Sequence, residues 1–228
     1  MLPKILTRPE ISYPLVAFCA FSILYLFFYD WVLLHGLWFA TFLKCLPIFC
    51  LCWLASVDSH KRSKEQKFKN KILYGLLYSS LGDALLMWDY FKLGMIAFAV
   101  AHIYYIAAFG FTSLKIEYGF VLYTLCIIIL YMLIHGLEGV LQYAVPVYSF
   151  ILVTMVWRSL AFTHNLKKDF MWMNNVIRVS SVSWMLSDGL LGVNKFLFPV
   201  PFSQFLIMFT YYFGQLGIAL STLTKCKA

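Results

Sequence analysis

The feature that most narrows what this chain can fold into is a succession of eight strongly apolar runs, at about 12–29, 35–55, 72–88, 93–111, 118–135, 140–161, 174–192 and 201–222. About 20 mostly apolar residues make a helix long enough to cross the hydrocarbon core of a bilayer. A helix in lipid also satisfies its own backbone hydrogen bonds. The chain is therefore expected to be an all-α integral membrane protein with eight transmembrane helices. Little sequence lies between the runs, so residues 1–228 are expected to form one membrane-embedded helical domain, without a soluble domain, Gly-rich phosphate loop or low-complexity tail. A hydrophobic share of 62% against 12% charged residues, with mean hydropathy +0.80, agrees. The first run is read as a helix rather than a leader, because no small-x-small cleavage pattern precedes Asp30.

A net charge of +8 raises the question of nucleic acid, but the cations sort by membrane side rather than along a groove. Lys4 and Arg8 precede the first run. Lys61, Arg62, Lys64, Lys67, Lys69 and Lys71 crowd the second connection, Lys115 the fourth, Lys167 and Lys168 the sixth, and Lys225 and Lys227 end the chain. The other connections hold Asp30, Asp89, Lys92, Glu138 and Lys195. The positive-inside rule then places both termini in the cytosol. No nucleic acid is expected as a partner. The basic run HKRSKEQKFKNK reads as a topology signal that can also touch anionic headgroups. Cys19, Cys45, Cys50, Cys52, Cys126 and Cys226 show no zinc-type CxxC pairs and read as packing residues.

Against this background two carboxylates stand out. Asp83, in GDALLMWDYF, and Asp188, in SDGLLGVNKF, lie inside apolar runs. An aspartate near the centre of a spanning helix costs roughly 2.5 to 3.5 kcal/mol on insertion scales, which makes each a functional candidate. The two stretches share Asp, two leucines and a closing Phe at the same offsets, with Phe91 answering Phe196. Pro47 answers Pro146, and Tyr104 and Tyr105 answer Tyr211 and Tyr212. Four helices separate the copies, an even number, so a 4+4 parallel internal repeat is implied, with halves at about 12–111 and 118–222. Both aspartates would then face a shared centre, one to one and a half turns before the ends of their helices.

Lys44 and His102 belong to the same half of the membrane, and a kink at Pro47 would open a cavity beside Lys44. In the repeat Lys44 corresponds to Tyr143 and His102 to Phe209, so one aspartate gains a cationic neighbour that the other lacks. A cation keeps one carboxylate ionised while burial keeps the other protonated, which supplies a base and an acid. The plainer reading is that Asp83 and Asp188 are neutralised by Lys44 and Lys195. No H-x-x-x-H or H-E-x-x-H sequence suggests a metal, with His35, His60, His135 and His164 near helix ends or in loops, and no G-x-S-x-G turn suggests a serine hydrolase. Tyr104, Tyr105, Tyr211 and Tyr212 read as bundle packing with hydroxyls turned inward. From residues alone a hydrolase, a proton-coupled transporter and a lipid-binding membrane protein all remain open.

The set KCLPIFCL from Lys44, GDALL from Gly82, AHIYY from Ala101, SDGLLGVNKFLFPVP from Ser187 and YYFGQ from Tyr211 resembles the YhhN-type lysoplasmalogenases, especially their animal members. The resemblance implies a multi-pass hydrolase that cleaves the vinyl ether bond of a lysophospholipid, releasing a fatty aldehyde and glycerophosphocholine or glycerophosphoethanolamine, with no cofactor. It implies an internal membrane such as the endoplasmic reticulum, with membrane lipids around it, and is compatible with a homodimer. Within that chemistry Asp83, Asp188, Lys44 and His102 are the candidate catalytic residues. Asn194 and Lys195 are candidates for contacting the phosphate. Gln215 and the four tyrosines would orient water or the glycerol hydroxyl.

Overall fold

The computed structural model describes residues 6–57, 63–164 and 171–224. Lys4, His60, Lys61, Arg62, Lys167, Lys168, Lys225, Cys226 and Lys227 lie outside the described residues. Within them are nine α-helices: α1 (Pro9–Phe27), α2 (Tyr29–Leu34), α3 (Leu37–Ser56), α4 (Ser63–Met87), α5 (Phe91–Phe109), α6 (Ile116–Leu133), α7 (Leu141–His164), α8 (Met171–Phe196) and α9 (Ser203–Leu220), with 3-10 turns after α6 and α9. No strand occurs among the described residues. Pro9 opens α1 in its first turn, where its missing N–H is not needed. Gly36, at φ +101°, separates α2 from α3, a backbone conformation that suits only a residue without Cβ.

Seven of these helices, α1, α3 and α5 to α9, are long and apolar enough to cross a membrane. The expected third crossing, 72–88, is the later part of α4, whose opening turns carry Lys64, Lys67, Lys69 and Lys71 and lower its mean hydropathy. Packing compensates for this. The Lys69 ammonium donates to the Val57 carbonyl, the Cys45 thiol lies 3.5 Å from the Ser80 carbonyl and the Trp38 and Trp88 rings meet at 4.5 Å, so α4 is antiparallel to α3 along its length. Lys71 donates to the Ala107 carbonyl at 2.7 Å, while Gly75 abuts Tyr105 and Gly94 abuts Leu86, so it is antiparallel to α5 as well. An element flanked end to end by two spanning helices lies at membrane depth itself.

Large apolar side chains face outward around the bundle, including Trp38 at 77% exposure, Phe120 at 74% and Tyr131 at 73%. That surface suits lipid rather than water. The chain is a multi-pass membrane protein. Inside, small residues bring backbones close: a Cβ on Gly217 would stand 2.1 Å from Ser180 Cβ, so α8 and α9 pack at a distance that only glycine permits.

Lys69, Lys71 and Arg158 lie toward one end of the bundle, and Asp83 and Asp188 lie toward the other. Arg158 on α7, almost wholly buried, donates to the Gly110 and Ser113 carbonyls at 2.6 Å each and ties down the connection between α5 and α6. Asp83 lies one turn before the opposite end of α4. The corresponding expectation for Asp188 needs correction: α8 continues to Phe196, so Asp188 is about two turns, roughly 12 Å, from its helix end. The helix runs on through Gly189 and Gly192, and the space at Gly192 is bounded by Leu133 of α6, 3.5 Å from where a Cβ would stand.

Candidate active site

A cavity of about 410 Å³ opens among helices α2 to α9, and both aspartates line it. Its walls are mostly apolar, with Leu125, Ile129 and Leu133 from α6 and Leu152 and Val153 from α7. The charged side chains on the lining are Lys44, Asp83, Asp89, Asp188 and Lys195. A site of this kind, apolar with a few converging polar groups, is what a small-molecule or lipid pocket requires.

Asp83 is 2% exposed and is held from two sides. Lys44 Nζ lies 3.5 Å from its Oδ1, and the Tyr211 hydroxyl donates to its Oδ2 at 2.5 Å. Lys44 reaches it because α3 stays helical through Pro47, which leaves the Leu43 carbonyl without its i+4 donor, and the Tyr212 hydroxyl donates to the neighbouring Lys44 carbonyl at 2.8 Å. Asp188 has a different environment. The Tyr148 hydroxyl donates to its Oδ2, and no cation lies within ion-pair distance of it among the described residues. Lys195 instead places its ammonium 4.5 Å over the Phe91 ring, so the simple pairing of each aspartate with a lysine holds for Asp83 and not for Asp188.

The remaining candidates separate into three groups. Lys195 and Tyr211 line the cavity with the aspartates. His102 is fully buried behind Tyr148, its Nε2 3.2 Å from the Tyr148 hydroxyl. The others are not on the cavity wall. The Asn194 amide oxygen accepts from the Val200 N–H at 2.9 Å and shapes the α8–α9 connection. The Tyr105 hydroxyl donates to Gln215 Oε1 at 2.9 Å inside the bundle, Tyr212 is committed to the Lys44 carbonyl, and Tyr104 stacks on Tyr78 on the bundle's flank. Among the described residues no group of three or more His, Cys, Asp and Glu side chains is placed to hold a metal.

Tyr148 is the residue that sequence comparison of the halves passes over. That comparison set Tyr143 against Lys44, yet Tyr143 is 77% exposed and Phe209, set against His102, is 52% exposed. The signal was helical periodicity: Val145, Tyr148, Ser149 and Leu152 recur at i, i+3, i+4 and i+7, and all four line the cavity.

Comparison with known proteins connects this geometry to a family. Over 187 residues the chain is 36% identical to lysoplasmalogenase TMEM86A of Homo sapiens, covering 81% of this chain and 78% of that protein. It is 35% identical to lysoplasmalogenase TMEM86A of Bos taurus over the same shares. It is 34% identical to lysoplasmalogenase TMEM86B of Homo sapiens over 192 residues, 82% of this chain and 76% of that one. No solved structure matches it. The YhhN family profile covers residues 39–222, which include every residue of the lysine, tyrosine and aspartate arrangement described above, and the chain belongs to the YhhN family.

Proposed function

We propose that this protein is a lysoplasmalogenase, an ether hydrolase that adds water across the vinyl ether bond of a lysoplasmalogen and releases a fatty aldehyde and glycerophosphocholine or glycerophosphoethanolamine. The observation that carries the reading is one apolar cavity holding two carboxylates in unlike company, Asp83 with an ammonium and Asp188 with a phenol. The likeness to lysoplasmalogenases over about four fifths of the chain supports it.

A vinyl ether is cleaved by protonating the alkenyl carbon next to the one that bears oxygen, which converts the carbon bearing oxygen into an oxocarbenium ion. Lys44 holds Asp83 ionised, so Asp188 carries the acid proton and delivers it to that carbon. The Asp83 carboxylate faces the developing cation and then takes a proton from the water that attacks it. The resulting hemiacetal collapses as Asp83 returns this proton to the departing glycerol oxygen and the Asp188 carboxylate removes the hydroxyl proton. Asp83 ends ionised and Asp188 protonated, as they began. Every proton is accounted for without a cofactor.

The alkenyl chain lies against the α6 and α7 wall, and the head group points toward Lys195, whose ammonium meets the phosphate. Asn194 acts at one remove by shaping the α8–α9 connection beside Lys195. Tyr105, Tyr212 and Gln215 support the site from behind, Tyr212 through Lys44, while Tyr104 lies outside it. The protein resides in an internal membrane such as the endoplasmic reticulum, with the bundle end that holds Lys69, Lys71 and Arg158 and both termini in the cytosol. The Phe91 and Phe196 rings meet edge to face at 5.9 Å beside the cavity, as a 4+4 repeat with its axis through the site would bring equivalent residues together.

Hydrolysis of a lysoplasmalogen by purified protein in deuterated water tests the reading. One deuterium is expected on the aldehyde carbon next to the carbonyl, and the saturated alkyl ether analogue is expected to stay intact. No aldehyde, or aldehyde without deuterium on carbon, would overturn it.

A further inference from the structure

Both aspartates accept a tyrosine hydroxyl on Oδ2, but the two tyrosines are held in different ways. Tyr211 is fixed by packing, with ring centroids 6.0 Å from Phe98 and 5.2 Å from Trp184, both edge to face. Tyr148 has a polar anchor, His102 Nε2 at 3.2 Å from its hydroxyl oxygen. A phenol has a single hydrogen, and that of Tyr148 is committed to Asp188. The hydrogen between His102 and Tyr148 therefore comes from the imidazole, which must be the tautomer protonated on Nε2. The other ring nitrogen agrees: Nδ1 is buried with no hydrogen-bond partner among the described residues, a tolerable state for an acceptor and a costly one for an N–H. His102 is fully buried, packs edge-on against Trp184 at 4.5 Å and does not line the cavity, so it has no access to substrate.

We infer that Tyr148 is a positioning residue for the protonation step: anchored by the His102 Nε2–H, its hydroxyl engages Oδ2 of Asp188 and leaves Oδ1 as the oxygen that presents the acid proton to the alkenyl carbon. The inference rests on the lysoplasmalogenase reading above. The line of donors runs one way, His102 to Tyr148 to Asp188. When the proton leaves Oδ1 for carbon, Tyr148 keeps its own proton, and its hydrogen bond to the new carboxylate becomes charge-assisted and stronger. The interaction therefore grows as the oxocarbenium forms, which is when it lowers the barrier.

Turnover and binding are compared for purified wild type, Asp188→Asn, Tyr148→Phe, His102→Leu, His102→Gln and the Tyr148→Phe/His102→Leu double variant. Tyr148→Phe is expected to lower kcat ten- to a hundredfold while KM, and the affinity for a saturated alkyl ether analogue, stay at the wild-type values. His102→Leu is expected to fall to a similar level and to cost nothing further in the Tyr148→Phe background. His102→Gln, which keeps an N–H, is expected to stay above His102→Leu. Wild-type kcat in Tyr148→Phe beside an inactive Asp188→Asn would overturn this inference alone. So would losses that multiply in the double variant, or a loss of analogue binding that matches the loss of turnover. Turnover by Asp188→Asn would overturn the lysoplasmalogenase mechanism, and the inference with it.

Discussion

Lys44→Met keeps the unbranched apolar stem of the side chain and removes the ammonium with its charge and its N–H donors. The ammonium lies 3.5 Å from Asp83 Oδ1 with both groups nearly out of reach of solvent. At an effective dielectric of about 20, two unit charges at that distance attract by about 5 kcal/mol. With 1.36 kcal/mol per factor of ten, removing the attraction lowers the ratio of ionised to protonated Asp83 by three to four orders of magnitude. The Tyr211 hydrogen bond remains and offsets a small part. The variant is therefore expected to bind substrate and to lose about a thousandfold in kcat, because its Asp83 holds a proton and is unable to accept one from water. Continuous detection of aldehyde from a lysoplasmalogen, alongside thermal unfolding in the same detergent, gives both quantities. Lys44→Met/Asp83→Asn is expected to be more stable than Lys44→Met, because it has no buried carboxylate that must either stay unpaired or take up a proton, and to remain inactive. A folded Lys44→Met protein with kcat within a few-fold of wild type would refute the argument that Lys44 sets the charge of Asp83.

Other consequences can be checked in parallel. Tyr211→Phe removes the 2.5 Å hydrogen bond to Asp83 and is expected to reduce kcat ten- to a hundredfold and to cost about 1 to 3 kcal/mol of stability, read as a lowered unfolding temperature. Lys195→Gln is expected to raise KM for phosphate-bearing substrate about tenfold and to leave an alkenyl glycerol without phosphate unaffected, by steady-state kinetics on the two substrates. Gly217→Ala forces a methyl group to within 2.1 Å of Ser180 Cβ and is expected to destabilise the α8–α9 pair by about 1 to 3 kcal/mol, measured as a lowered unfolding temperature.

Much of the fold could be read from the sequence because lipid enforces a simple rule, an apolar helix wherever backbone must cross. The places where it was least clear are physical. Residues 72–88 were read as a span although Lys69 and Lys71 adjoin them and Asp83 lies within them, and the flanking α3 and α5 carry α4 through the bundle. The short helix α2 lay hidden because Tyr29–Leu34 falls in the connection between the first two apolar runs, where Asp30 interrupts the apolar sequence and six residues are too few to show a helical period. At the site, Asp83 and Asp188 were legible because a carboxylate in an apolar run is expensive, and Lys44 for the same reason. Tyr148 was not, since a tyrosine on an apolar helix carries no such cost and its role depends on which face of α7 meets α8. Tyr105 and Gln215 were misplaced onto the substrate for the opposite reason: their polar groups point inward, but they satisfy each other at 2.9 Å before reaching the cavity.

The central claim is that Asp83 and Asp188 together perform vinyl ether hydrolysis. Its most direct test is aldehyde release from a lysoplasmalogen by purified wild type, Asp83→Asn and Asp188→Asn, each shown to be folded by its thermal unfolding transition. The account predicts release by wild type and its loss in both variants. Release by either folded variant at a rate near that of wild type would contradict it.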